Sequence, residues 1–309
     1  MVKNTLFTDE EKLKEAIIRL RKKRKAVILA HNYQIFQIQE VADFVGDSLE
    51  LAKISAKVDA PLIVFCGVYF MGETAKILSP QKKVLIPVAG ARCPLADTIT
   101  PKKLLELKNT YSEAWVVSYV NTSAEIKALT DVCCTSSNAI QVVKNIPAKR
   151  VIFVPDGNLG WWVKKNVPQK EIILWKGFCY VHQNFTLEDL QKQKSKFPHA
   201  QVFVHPECKP EILQNADLIL STSGMLREAK KSSAKEIIIG TEEGLIYRLK
   251  KENLDKKFYP LKRAECVDMK KITLKELYLA LKHQRYAIEL PPEIIQRAQS
   301  SLKEMIKYI

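Results

Sequence analysis

Ala26-Val-Ile-Leu-Ala-His31 is a short apolar run ending on a histidine, and the chain then reads Ala42-Asp43-Phe-Val-Gly-Asp-Ser48. The pattern returns twice. Trp115-Val-Val-Ser-Tyr119 leads to Thr130-Asp131-Val-Cys-Cys-Thr-Ser136, and Gln201-Val-Phe-Val-His205 leads to Ala216-Asp217-Leu-Ile-Leu-Ser-Thr222. Seventeen residues separate His31 from Ser48, Tyr119 from Ser136 and His205 from Thr222. Unbroken Val/Ile/Leu runs of this kind fit strands of parallel sheets covered on both faces.

The echo continues downstream. Leu62-Ile-Val-Phe65, Val151-Ile-Phe-Val154 and Glu236-Ile-Ile-Ile239 read as second buried strands, each followed by a helical stretch reaching Lys76, Lys164 and Lys250. Third strands follow at Val84-Leu-Ile86, Ile172-Ile-Leu174 and Phe258-Tyr259, and each leads to one cysteine: Cys93, Cys179 and Cys266. A threonine suited to N-capping then opens a helix at Thr100, Thr186 and Thr273. Landmarks sharing a period of about 87 residues predict a triplicated α/β fold. Three α/β/α units, each with a short parallel sheet of three strands, surround a central cleft on a pseudo-threefold axis. The expected divisions are 1–110, with an extra N-terminal helix over residues 8–25; 111–197; and 198–309, with a C-terminal helix. The N-terminal helix is expected to replace the one that precedes units two and three.

Composition agrees with a folded chain. Of 309 residues, 47% are apolar and 27% charged, which excludes disorder as the main state. The 49 basic and 34 acidic residues leave +15, a balance suited to nucleic acid, acidic lipid or small polyanions. Against nucleic acid, aromatics are only 8% and do not interleave with the basic runs. Arg19-Leu-Arg-Lys-Lys-Arg-Lys25 reads instead as the dipole-matched C-terminal end of the first helix. No apolar signal region opens the chain and no run approaches a membrane span, so membrane partners are not expected. Seven cysteines without such a signal point to a reducing cytoplasm and to burial or ligation rather than disulfides.

The repeat sorts those thiols. Cys93, Cys179 and Cys266 are equivalent and follow strand ends, where open α/β sheets bind ligands. Cys66, Cys133, Cys134 and Cys208 lack such equivalents and read as small buried hydrophobes. Three converged thiolates would hold zinc or an iron–sulfur cluster; a [4Fe–4S] cluster on three cysteines keeps one iron open. The polar landmarks converge in the same way. His31, Tyr119 and His205 close the first strands, with Asn121 and Glu207 two residues beyond the latter two. Ser48, Ser136 and Thr222 fall where helices begin, and hydroxyls beside free N–H groups there hold carboxylate or phosphate. An anionic substrate is implied.

At these residues the sequence resembles the quinolinate synthases, iron–sulfur enzymes of de novo NAD synthesis in bacteria. The resemblance spans nearly the whole chain. It rests on His31-Asn-Tyr-Gln34, Val45-Gly-Asp-Ser-Leu49, Phe65-Cys-Gly-Val68, Phe70-Met-Gly-Glu-Thr-Ala-Lys76, Cys93-Pro-Leu-Ala-Asp97 and Tyr119-Val-Asn-Thr-Ser-Ala-Glu125. Further on come Cys134-Thr-Ser-Ser-Asn138, Pro155-Asp-Gly-Asn-Leu-Gly160, Gly177-Phe-Cys-Tyr-Val-His182, His205-Pro-Glu207, Ser221-Thr-Ser-Gly-Met225 and Gly240-Thr-Glu242.

The resemblance implies a [4Fe–4S] cluster on Cys93, Cys179 and Cys266 with the fourth iron open. It implies condensation of iminoaspartate with dihydroxyacetone phosphate to quinolinate, and a functional link to an enzyme that supplies iminoaspartate. The implied substrate-binding residues are His31, Ser48, Tyr119, Val120, Asn121, Ser136, His205, Pro206, Glu207 and Thr222. Glu207, His205, Tyr33 and His31 are the expected catalytic set, with Glu207 as general base. The chain departs from the family pattern at Phe36, Gln37, Tyr69, Arg92, Gln183 and Asp268, of which Arg92 and Asp268 flank expected ligands.

Overall fold

Residues 9–308 are described in a computed structural model. Among these residues twelve strands form three sheets, and every strand-to-strand pairing within them is parallel. The first sheet holds β1 (Ala26–His31), β2 (Phe44–Gly46), β3 (Leu62–Cys66) and β4 (Lys83–Leu85). The second holds β5 (Trp115–Tyr119), β6 (Val132–Cys134), β7 (Arg150–Val154) and β8 (Glu171–Leu174). The third holds β9 (Gln201–Val204), β10 (Leu218–Ile219), β11 (Glu236–Gly240) and β12 (Lys257–Pro260). The orders β2-β1-β3-β4, β6-β5-β7-β8 and β10-β9-β11-β12 are the same order three times. The triplicated α/β fold is therefore present, with one correction: each sheet has four strands, not three. The added members β2, β6 and β10 are only two or three residues long, too short to carry a periodic signal.

The repeated aspartates show why so short a strand pairs in register. Asp43, Asp131 and Asp217 immediately precede β2, β6 and β10. Each accepts a hydrogen bond from a neighbouring-strand N–H, Ile28 at 2.9 Å, Val116 at 2.7 Å and Val202 at 2.7 Å. Their own N–H groups donate back to the same residues' carbonyls, at 2.9, 3.1 and 3.0 Å. Each carboxylate thus extends the ladder where the short strand has run out. A second triplicated device is a lysine before the last strand. Lys82, Lys170 and Lys256 donate to the C-cap carbonyls of Val58, Ile146 and Ser232, which close the helices Ser48–Lys57, Ala139–Asn145 and Thr222–Lys231.

Thr100, Thr186 and Thr273 cap the N-termini of Pro101–Thr110, Leu187–Lys196 and Leu274–His283 as expected. These helices do not cover their own sheets. Leu104 packs with Val116 and Ile152 of the second sheet, and Leu190 with Val202 and Ile238 of the third. Leu277 and Leu281 return to Ile28 and Val64 of the first. The hand-over is cyclic, so Leu274–His283 takes the place assigned above to the N-terminal helix. The latter, Asp9–Lys23, lies beside it with Ile17 buried in the same cluster; its expected first residue, Thr8, is outside the described residues. The terminal helix Pro292–Glu304 buries Ala298 and Leu302 against the second sheet. We propose to keep the divisions at 110 and 197 on strand content, each unit borrowing cover from another.

Candidate active site

The carboxyl ends of strands from all three sheets open on one shared cavity. Such strand ends leave side chains and helix N-termini unpaired with sheet, which is why parallel folds bind ligands there. His31 and Tyr119 are the last residues of β1 and β5, and His205 follows β9 directly. Ser48 and Thr222 are the first residues of their helices; Ser136 lies in the turn before Ala139–Asn145. All six line the cavity, together with Tyr33, Asn121, Glu207, Cys93, Cys179 and Cys266. Val120 and Pro206 do not. Val120 turns its carbonyl to the buried Lys127 at 2.8 Å, and its side chain joins the second unit's core.

Local hydrogen bonds fix the protonation of two histidines. The N–H of Tyr33 donates to Nδ1 of His31 at 3.2 Å, and the N–H of Glu207 to Nδ1 of His205 at 3.4 Å. A ring nitrogen that accepts carries no proton, so each neutral ring bears its proton on Nε2. Burial pushes both imidazoles down to about 3, against the opposing pull of Glu207, and both are neutral at pH 7. Burial likewise raises the Tyr33 and Tyr119 phenols well above their ordinary value, keeping four neutral donors in the cavity.

Glu207 is the counterpart acceptor. Burial alone would raise its carboxyl, but His182 and His205 outweigh that effect and hold it at about 2. Its Oε1 accepts from Asn121 Nδ2 at 3.3 Å, and its Oε2 lies 2.8 Å from His182 Nδ1. From His182 the contacts continue: Nε2 meets Thr241 Oγ1 at 2.9 Å, and Thr241 meets the Tyr33 hydroxyl at 2.6 Å. Tyr33 and Glu207 are therefore the ends of one polar chain drawn from all three units. His182 also stacks on His205, ring centroids 4.8 Å apart. Neither His182 nor Thr241 was singled out from sequence. The available signal was that three of only five histidines fall in the quoted motifs, at 31, 182 and 205.

Behind Tyr33, Lys270 donates to its carbonyl at 2.7 Å and pairs with the buried Glu242 at 2.6 Å. Glu242 in turn accepts from the N–H of Cys266 at 3.1 Å. A side chain at Gly244 would meet the Tyr33 carbonyl carbon and oxygen at 2.8 Å, so this close approach requires glycine.

All seven cysteines are free, and the repeat's two classes separate by burial. Cys66, Cys133, Cys134 and Cys208 are fully buried, whereas Cys93, Cys179 and Cys266 are partly exposed to the shared cavity. Cys179 and Cys266 cap the short helices Tyr180–Gln183 and Val267–Lys270, and Cys93 precedes a single turn at Ala96–Thr98. Burial pushes all three thiols up, while turn N–H groups of Leu95 and Ala96, His182, and Asp268 and Met269 favour the thiolate. Soft donors with N–H groups aimed at sulfur, deprotonated only when a cation joins them, fit an iron–sulfur cluster. Cys179, His182 and Glu207, whose donor atoms lie within 4.8 Å of one another, form a second group able to hold a metal ion. There, however, His182 already faces Glu207 and Thr241 through its two nitrogens. The charges beside the ligands are locally matched: Arg92 forms a two-pronged pair with Asp97, and Asp268 pairs with Lys271 at 2.6 Å.

Comparison with known proteins gives one family. A family model described as quinolinate synthetase A protein matches residues 15–307. The chain is 53% identical to the quinolinate synthase of Thermodesulfovibrio yellowstonii, over 96% of this chain and 98% of that one. It is 50% identical to that of Caldicellulosiruptor saccharolyticus, over 97% and 99%. The identity is 49% to that of Methanocaldococcus jannaschii, over 95% and 98%.

Proposed function

The chain belongs to the quinolinate synthetase A family, and we propose that it acts through a [4Fe–4S] cluster held by Cys93, Cys179 and Cys266. Its reaction is the condensation of iminoaspartate with dihydroxyacetone phosphate to quinolinate, phosphate and water, in NAD biosynthesis. The observation that supports the cluster is that equivalent loops of three units each bring one partly exposed thiol to one cavity. When bound, such a cluster supplies an open iron that polarises a substrate oxygen as a Lewis acid.

The chain's own residues do the rest. Neutral His31 and His205 donate through Nε2–H to oxygens on which charge develops, joined by the Tyr119 hydroxyl. Ser48, Ser136 and Thr222 orient carboxylate or phosphate at helix and turn N-termini. Glu207, anionic at neutral pH, accepts a proton from the substrate carbon chain. The contacts from Glu207 through His182 and Thr241 to Tyr33 support holding the carboxylate and the phenol in one polar network. Asn121 Oδ1 is buried without a hydrogen-bond partner and is free to accept from a substrate N–H. Substrates bearing carboxylates and phosphate suit a chain of net charge +15.

Seven free cysteines support a reducing, cytoplasmic setting. No helix among the described residues is long and apolar enough to cross a membrane. Iminoaspartate is unstable, so an enzyme producing it is the expected functional partner. Anaerobic purification with iron and sulfide counting, paired with a quinolinate assay, tests the proposal. A brown protein absorbing broadly near about 400 nm is expected. Colourless, zinc-loaded protein with full activity would refute the cluster.

A further inference from the structure

Thr222 opens the helix Thr222–Lys231 and lines the cavity, but a hydroxyl can present either a lone pair or a proton to what binds there. The neighbours decide which. Asn32, fully buried, donates from Nδ2 to Thr222 Oγ1 at 3.0 Å. Its amide is not free to turn over, because Arg248 Nη1 donates to Asn32 Oδ1 at 3.0 Å. A guanidinium has donors only, so a flipped amide would set two donors face to face. Arg248 is itself held by Glu252 at Nε, 2.6 Å, and by the Val45 carbonyl at Nη1, 2.8 Å. Among the described residues no acceptor takes the Thr222 proton. We infer that Arg248 and Asn32 are positioning residues that commit the Thr222 hydroxyl to donating toward an anionic oxygen of the bound substrate.

This rests on the proposal that Thr222 faces an anionic substrate, and adds the direction of the bond and the residues that impose it. The polarity runs one way from a cation in the third unit, through an amide in the first, to a hydroxyl in the third. Every link donates forward, so a carboxylate or phosphate is accepted and a ligand offering only donors is refused.

Asn32→Asp preserves shape and the contact with Arg248 but turns the donor to Thr222 into an acceptor. The Thr222 proton is then drawn to the new carboxylate and away from the cavity. The test uses anaerobically prepared holoenzyme, quinolinate binding by calorimetry, and kcat and KM for dihydroxyacetone phosphate, with melting curves as a fold control. Asn32→Asp and Thr222→Val should each raise the quinolinate Kd or the dihydroxyacetone phosphate KM about tenfold to a hundredfold, with kcat changing less. The double variant should be no worse than the worse single, because both remove the same bond. Should Asn32→Asp fail to fold, Arg248→Gln serves instead. It releases the amide and should raise the same constant in the native background, but not beside Thr222→Val. Additive effects, or an Asn32→Asp enzyme with unchanged constants, would overturn the inference. A wild-type holoenzyme that binds neither ligand and makes no quinolinate would overturn the family activity along with it.

Discussion

Asp217 offers a clean test of the clamp that registers each sheet, because it has no cationic partner to lose. Its carboxylate accepts from the N–H of Val202, a fully buried residue of β9, at 2.7 Å. The two-residue β10 pairs only with Phe203 and Val204, so nothing else in that strand can take this donor. Asp217→Ala leaves it unpaired, and a buried donor without a partner costs about 1–3 kcal/mol. The carboxylate itself is exposed, so water reaches part of the gap and the lower half, about 1–2 kcal/mol, is expected. Asp217→Asn keeps an acceptor oxygen in place and should cost less than about 0.5 kcal/mol. Urea unfolding followed by far-ultraviolet circular dichroism, with all proteins in the same cluster state, resolves these values. The same pair of substitutions at Asp131 and Asp43 should repeat the pattern. At Asp43 loss of the Arg21 ion pair adds up to about 1 kcal/mol. An asparagine as damaging as alanine at Asp217 would refute the clamp.

Glu207→Gln keeps shape but cannot take a proton, so turnover should fall about a hundredfold with cluster and melting temperature retained; anaerobic single-turnover rates near wild type would remove Glu207 from the chemistry. Cys93→Ser, Cys179→Ser or Cys266→Ser should abolish the cluster, whereas Cys66→Ser and Cys208→Ser keep their iron; an intact, active cluster in Cys266→Ser would defeat the assignment. Lys127 is buried and cationic, donating to the carbonyls of Val120 and Thr122 on either side of Asn121, and burial lowers it to about 8. A lysine depressed when folded binds its proton more weakly than the unfolded chain does, so native stability rises as pH passes about 8 toward the unfolded value. The penalty of Lys127→Met should therefore grow by roughly 2 kcal/mol between about pH 7 and about pH 10. A pH-independent difference in unfolding free energy would contradict that burial.

Three copies of one pattern made much of this molecule legible in its sequence. Triplication distinguished Cys93, Cys179 and Cys266 from four other thiols, and isolated His31, Tyr119, His205 and the three hydroxyl residues that line the cavity. What repetition could not reveal was what occurs once. His182 and Thr241 have no counterparts in the other units, and their value lies in bridging them. Val120 and Pro206 entered with their motif neighbours, but both lie beyond the ends of their strands, where no alternation fixes which side chains face the cavity. The edge strands β2, β6 and β10 escaped because two or three residues have no period, whereas β4, equally short, was legible from its place in the repeat. The helices were legible as helices, but which sheet each covers depends on packing across units, which local patterning does not encode.

The cyclic hand-over of helices also sets an order on synthesis. The first sheet is complete once β4 has left the ribosome, yet Ile28 and Val64 on its outer face are packed by Leu277 and Leu281, which follow nearly the whole chain. Asp9–Lys23, with Ile17 buried and Leu13 and Leu20 partly buried in the same cluster, is a partial shield in the meantime. The earliest unit made is thus the last to be sealed. A nascent chain stalled in its third unit would present an incompletely covered aliphatic surface, a natural target for chaperones.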